Sequence, residues 1–216
     1  MREKIKEYIP LLLALTVLVS TVMAAVFVYY PIEATVSPVQ PPIVFALGSN
    51  AGGSDLRGGT IGVAVGNSGT SLSITVHPTY QVSYYRNLAV IKNTDNKAYY
   101  VNLTVYTPIS SWANGNITLI VYGSGTVRSL TGWPKTVPTN STNDPYSYLN
   151  PTASSYVAIL DLTKSSSTSF QINASQTLEV DLLIYIPEGV QLPSSATAQV
   201  YLVYSPVSET PPSVAP

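Results

Sequence analysis

The sequence contains no cysteine. That excludes thiol nucleophiles, cysteine metal sites and disulfide staples. A chain of 216 residues can still bury a sizeable core without them. Charge is also scarce. Asp, Glu, Lys and Arg make up 10% of the chain, against about 25% in an ordinary soluble domain. Ten basic and 11 acidic residues leave a net charge of −1 and no basic patch, which argues against a nucleic-acid partner. There is one histidine, His77, so a Ser-His-Asp triad would have to use it. After Tyr30 no amphipathic helical pattern of useful length occurs.

Ser, Thr, Asn and Tyr take the place of charge, giving a surface that is polar without being ionic. Such a surface suits an extracellular protein, and with few carboxylates to protonate it predicts a small stability cost in acid. The abundance of Val, Ile, Leu and Tyr argues against disorder.

The first residues carry Arg2, Lys4 and Lys6, and residues 9–30 then run without a charge. A basic start, an apolar stretch and small residues near its end are the marks of a secretory signal. Val22 and Ala24 fit the −3 and −1 positions of a cut between Ala24 and Ala25. An uncleaved anchor is the rival, since about 20 apolar residues can span a bilayer. Composition favours cleavage: residues 26–30 are only Val, Phe and Tyr, a β-branched and aromatic set suited to strand.

Beyond Pro41-Pro42, short runs are separated by Gly, Asn, Pro and Ser clusters. Strands are expected at 43–47, 60–66, 71–77, 88–92, 99–107, 116–122, 156–163, 169–172, 177–186 and 198–204. Period-two runs bounded by turn residues predict an all-β fold, a single β-sandwich of Ig-like or jelly-roll-like type. In 87–105, Val101, Leu103 and Val105 are expected to face the core and Tyr100, Asn102, Thr104 and Tyr106 to face out, with a turn at 93–97. The predicted organisation is a signal over 1–24, an N-terminal strand and linker over 25–40, the sandwich over 41–205 and a Pro-rich tail over 206–216.

Four Asn-x-Ser/Thr sequons occur, at Asn102, Asn116, Asn140 and Asn173. Strand periodicity puts Asn102 and Asn116 on outward faces, as a bulky glycan requires. His77 falls on the polar face of its strand, as an exposed histidine would. Glu179 and Asp181 share a strand face and are expected to mark its solvent side; a carboxylate pair or weak calcium site is the alternative. The glycine-rich stretch 48–59 lacks the Gly-Lys-Ser/Thr ending of a phosphate loop and reads as a flexible connection. No cofactor, metal or catalytic constellation is expected.

If the mature chain starts near Ala25, it opens on an apolar strand. Val26, Val28 and Tyr30 point one way and Phe27 and Tyr29 the other, suiting burial on both sides. From Ile32 the pattern alternates, with Ile32, Ala34 and Val36 on one face. Pro31 interrupts pairing between the halves. Such an arm can fold back on its own sheet or add to a neighbour's by donor-strand complementation. The second contact is head-to-tail and grows into a filament unless it closes into a ring. Five buried apolar side chains contribute roughly 1.5–3 kcal/mol each. Ladder hydrogen bonds add about 0.5–1.5 kcal/mol apiece, against an association cost on the order of 4–15 kcal/mol.

The apolar strand after a signal is followed by PPIVFALGSNAGGSDLRGGTIGV and then SITVHPTYQVSYYRNLAVIKNTDNKAYYVNLTVY, in a cysteine-free, Tyr/Thr/Asn-rich chain. This resembles the β-sandwich subunits of archaeal extracellular filaments, the threads and bundling pili, and distantly the TasA-type biofilm fibre proteins. The resemblance is best over Pro41 to Thr107. It implies that Val26–Val36 completes the sandwich of the next subunit, that the four sequon asparagines carry N-linked glycans, and that no catalysis is involved. The expectation is therefore a secreted, cell-surface homopolymer subunit serving adhesion or biofilm formation, touching the membrane only through its signal. The alternatives are a type IV-like pilin with a helix over 11–30, a surface binding domain anchored by 9–30 and, more distantly, a carbohydrate hydrolase using Glu179 and Asp181.

Overall fold

A computed structural model of the chain describes residues 8–17, 29–109, 115–128, 156–192 and 195–209. Two units separate, residues 1–39 and 40–216. In the first, residues 8–17 are helical, with the Thr16 hydroxyl donating back to the carbonyls of Leu12 and Leu13 at 2.9 and 3.0 Å. Residues 29–39 belong to no helix or strand. No helix among the described residues is long and apolar enough to cross a membrane.

The second unit is an all-β sandwich. Its strands, among the described residues, are β1 (Ile43–Leu47), β2 (Gly62–Val65), β3 (Leu72–Thr75), β4 (Gln81–Asn93) and β5 (Tyr99–Thr107). They continue with β6 (Asn116–Gly123), β7 (Tyr156–Asp161), β8 (Ser167–Ile172), β9 (Thr177–Ile186) and β10 (Gln199–Ser205). One layer is a five-stranded antiparallel sheet, β1-β4-β9-β6-β7. The other holds the three-stranded sheet β10-β5-β8, and β2 and β3 form a separate hairpin.

The alternating residues of each strand meet between the layers. Val101, Leu103 and Val105 of β5 are buried against Val180, Leu182 and Ile184 of β9, in one core that also takes Leu88, Ile91, Phe170 and Ile172. The hairpin contributes Val63, Leu72 and Ile74, packed on the same core but only partly buried. Tyr100, Asn102, Thr104 and Tyr106 face outward on β5, as the periodicity indicates.

Three features correct or extend the sequence reading. First, β4 starts at Gln81, well before residue 88. Its alternation is broken by a bulge in which residues 86–88 stand opposite Asp181 alone, with Asn87 at φ 44°. A bulge shifts the apolar period, so the first half of this strand does not read as continuous with the second.

Second, the turn after Asn93 leads from one sheet to the other and closes no hairpin. The Asn93 amide Nδ2 donates to the carbonyls of Lys97 (2.7 Å) and Asn173 (2.8 Å), and its Oδ1 accepts from the Asp95 N–H. These bonds tie the crossing to the opposite layer.

Third, the glycine-rich stretch is a hydrogen-bonded turn. The Gly52 and Ile61 N–H groups donate to the Ile61 and Gly53 carbonyls at 2.9 Å, and the Gly48 N–H to the Leu88 carbonyl at 3.0 Å. At Gly48 a Cβ would lie 2.0 Å from the Asn87 carbonyl oxygen, so the chain can pass the β4 bulge only with glycine there.

Candidate functional site

Both described segments of the first unit expose apolar side chains, residues 8–17 as a helix and the N-terminal arm outside any helix or strand. Tyr29, Tyr30, Ile32 and Val36 are 87%, 83%, 92% and 85% exposed, and Ala34 is exposed as well. Within the single chain these residues make no ladder. Val26, Phe27 and Val28, and the cut between Ala24 and Ala25, lie outside the described residues. Tyr29 and Tyr30 belong to no helix, and residues 18–28, on which the pilin and anchor alternatives turn, lie outside the described residues.

The sequons separate by environment. Asn173 lies exposed in the turn between β8 and β9, its N–H donating to Gln176 Oε1 at 2.7 Å. Asn102 sits half-exposed on the outer face of β5, its Nδ2 donating to Ser169 Oγ at 2.8 Å and its Oδ1 accepting from Thr104 Oγ1 at 2.6 Å. Asn116 departs from expectation. It is on the outer face of β6, as the periodicity implies, yet it is 1% exposed and its carboxamide has no hydrogen-bond partner among the described residues. Asn140 lies outside the described residues.

Glu179 and Asp181 are corrected for the same reason. They do share the outer face of β9, but β9 is the middle strand of its sheet and that face is covered. Ile120, Tyr122 and Leu183 form a second buried cluster on it, and the segment after β6 folds back across the carboxylates. Glu179 Oε1 accepts from Ser124 Oγ (3.3 Å) and the Gly125 N–H (3.1 Å), and Oε2 from Arg128 Nη2 at 2.6 Å.

Asp181, fully buried, accepts from the bulge N–H of Asn87 at 2.7 Å, from Arg128 Nε at 3.0 Å and from the Tyr84 hydroxyl. Arg128 itself is 5% exposed and lies over the Tyr122 ring, 4.6 Å from its centroid. Burial alone would raise the Glu179 carboxyl; the Gly125 N–H, Arg128 and Ser124 outweigh it and hold the pKa below its ordinary value. Burial and the bond to Asp181 push the Tyr84 phenol far up.

Every carboxylate oxygen here is engaged by the protein. The cluster therefore locks the bulge and the turn at 124–128 to the sheet, and it presents no free acid or base to a substrate.

A second polar centre forms around Asp55, whose side chain is 2% exposed. Oδ1 accepts from the Leu56 N–H (2.8 Å) and the Tyr85 hydroxyl (3.0 Å). Oδ2 accepts from the His77 N–H at 2.7 Å and lies 2.9 Å from His77 Nδ1. Burial would raise this carboxyl, but the Leu56 N–H, the His77 ring and N–H, and Tyr85 together lower it. The half-exposed His77 ring thus holds the glycine-rich turn against β3 and β4, and among the described residues no hydroxyl bonds its other nitrogen. Among the described residues no group of three or more His, Cys, Asp or Glu side chains is placed to hold a metal ion.

No known protein-family model matches the chain, and no curated protein matches its sequence.

Proposed function

We propose that this chain is a structural subunit of an extracellular filament, in which the apolar arm of one copy adds as a strand to the sandwich of the next. The observation that carries this reading is the arm itself. Five large apolar side chains between Tyr29 and Val39 stand 83–92% exposed, outside any strand or helix, whereas the core of the sandwich buries residues such as Leu88, Val101 and Leu178 almost completely. A soluble chain rarely leaves so much contiguous apolar surface without a partner.

Pairing would remove Tyr30, Ile32 and Val36 from water at about 1.5–3 kcal/mol each, and ladder hydrogen bonds would add about 0.5–1.5 kcal/mol apiece. Those gains are of the size needed to offset the association cost. Donor and acceptor lie at different places on the subunit, so repetition gives a head-to-tail polymer. Asn102 and Asn173 are the described sequons open to N-linked glycans, consistent with a cell-surface setting and a role in adhesion or biofilm formation. The engagement of Glu179, Asp181 and Asp55 in structural bonds speaks for a non-enzymatic role.

The test is a deletion of residues 26–37 from the secreted chain. Filaments seen by electron microscopy should disappear while far-UV circular dichroism and the thermal melt of the sandwich stay as before. Filaments that persist without those residues defeat the reading.

A further inference from the structure

We infer that the free edge of β10 is where the arm of a second copy pairs, an assignment that rests on the strand-addition reading and adds to it which edge accepts. The two layers of the sandwich are unequal: five strands face a sheet of three plus a detached hairpin. At one side of the three-stranded sheet, β8 pairs with β5 and its inward Phe170 and Ile172 are buried. At its other side, β10 pairs with β5 and, among the described residues, with no further strand.

The register sets Val200, Leu202 and Tyr204 beside Val105, Leu103 and Val101, so both triplets point into the core. The β5 residues are buried, whereas Val200 and Leu202 are half-buried and Tyr204 is 36% exposed. The hairpin shows the same pattern, with Leu72 and Ile74 of β3 packed on the core but half-buried. Inward-facing side chains left half in water on β10 and β3, next to fully buried neighbours, mark a layer that lacks a strand.

The β1 edge of the larger sheet is less open. Along β1 the turn at Gly69 is packed so closely that a Cβ there would lie 2.9 Å from Val44 Cβ and from the Phe45 carbonyl oxygen. β10 carries no charge and no proline in QVYLVYS, but neither do IVFAL of β1 and STSFQI of β8, so what sets β10 apart is its half-buried inward face.

The occupant is specified by pattern. A strand added here needs apolar residues at every second position on its inward side, and Tyr30, Ile32, Ala34 and Val36 supply them. Glu33 and Thr35 then fall on the outward side. Pro31 lacks an N–H, so continuous pairing begins at Ile32.

The absence of cysteine makes the test clean. Ile32→Cys or Ala34→Cys is combined in turn with Val200→Cys, Leu202→Cys or Tyr204→Cys on β10, with Thr168→Cys on β8, and with Phe45→Cys on β1. The full-length chains are oxidised as assembled and run without reductant. A disulfide requires Cα atoms within about 7 Å, so only neighbouring strands link.

A ladder of covalent oligomers with a β10 cysteine and not with β8 or β1 is the expected result. A ladder with β8 or β1 overturns the edge assignment while leaving strand addition standing. A link confined to monomers means the arm folds back on its own sheet and overturns both readings, whereas no link at β10, β8 or β1 overturns the edge assignment and leaves strand addition to the deletion of residues 26–37. As a second measurement, at a temperature where the melts show both variants folded, Leu202→Lys should raise the concentration needed for assembly about a hundredfold, while the outward-facing Tyr201→Lys assembles normally. Equal assembly of the two variants contradicts the assignment.

Discussion

Replacing Arg128 by methionine removes the one cation from a cluster that buries two carboxylates. Methionine keeps most of the volume, so the loss is electrostatic. Glu179 and Asp181, 8% and 0% exposed, would be left without their counter-charge, and the Thr126 carbonyl would lose its donor at 2.7 Å. Breaking a buried pair by removing one partner costs about 3–5 kcal/mol. The lost contact with the Tyr122 ring accounts for roughly 0.5–2 kcal/mol by itself.

A loss of this size is a large share of the roughly 5–15 kcal/mol that holds a domain together. It corresponds to a fall in Tm of roughly 6–20 °C for a unit of this length. The assay is urea unfolding at pH 7, with Arg128→Met compared against the triple variant that adds Glu179→Gln and Asp181→Asn. The triple variant should recover part of the loss and not all of it, because an asparagine at 181 cannot accept from both Asn87 and Tyr84 as the carboxylate does. The pH response should also reverse in sign at this cluster. Without Arg128 the burial of Glu179 pushes its carboxyl up with less to oppose it, so the single variant gains relative stability as the pH falls. A loss below about 1 kcal/mol, or no recovery in the triple variant, would refute the buried-cluster account.

Stability of the intact protein should decline in acid. Asp55, Asp95 and Glu179 are each held below their ordinary values of 3.8, 3.8 and 4.5, Asp95 by the Tyr99 hydroxyl and the Asn96 N–H. The folded state therefore binds fewer protons than the unfolded one in this range. The stabilisation is complete above those ordinary values and is lost as the pH falls through the folded ones, which thermal melts between pH 6 and pH 2 would show. Gly48→Ala should cost about 1–3 kcal/mol in a denaturant melt, since its Cβ would collide with backbone at the bulge. Mass spectrometry of the secreted protein should find glycan at Asn173 and Asn102 and none at Asn116; modification of Asn116 would contradict its burial.

Much of the sandwich was legible because period-two patterning and turn residues act locally. The bounds of β1, β5 and β9 follow from the sequence, as does the inward set Val101, Leu103 and Val105. What stayed hidden depends on distant residues. Asn116, Glu179 and Asp181 lie on the face that alternation assigns them, but alternation cannot say whether that face meets water. At the two carboxylates it meets Arg128, a residue in an unremarkable stretch whose acidic partners are more than 50 positions away. The first half of β4 was hidden by a bulge, and the bulge is held by Asp181 across the sheet. The few carboxylates predicted a mild response to acid; Asp55, Asp181 and Glu179 are instead buried and bonded, so their number understates their weight. The glycine-rich turn looked loose because its anchor, Asp55, bonds to His77, 22 residues on.

Amide hydrogen exchange over residues 29–36, measured on the free chain and on assembled filaments, tests the central claim most directly. Strand addition predicts rapid exchange in the free chain, where these residues make no ladder, and strong protection in the filament beginning at Ile32. Exchange that stays rapid in the filament, or protection already present in the free chain, would contradict it.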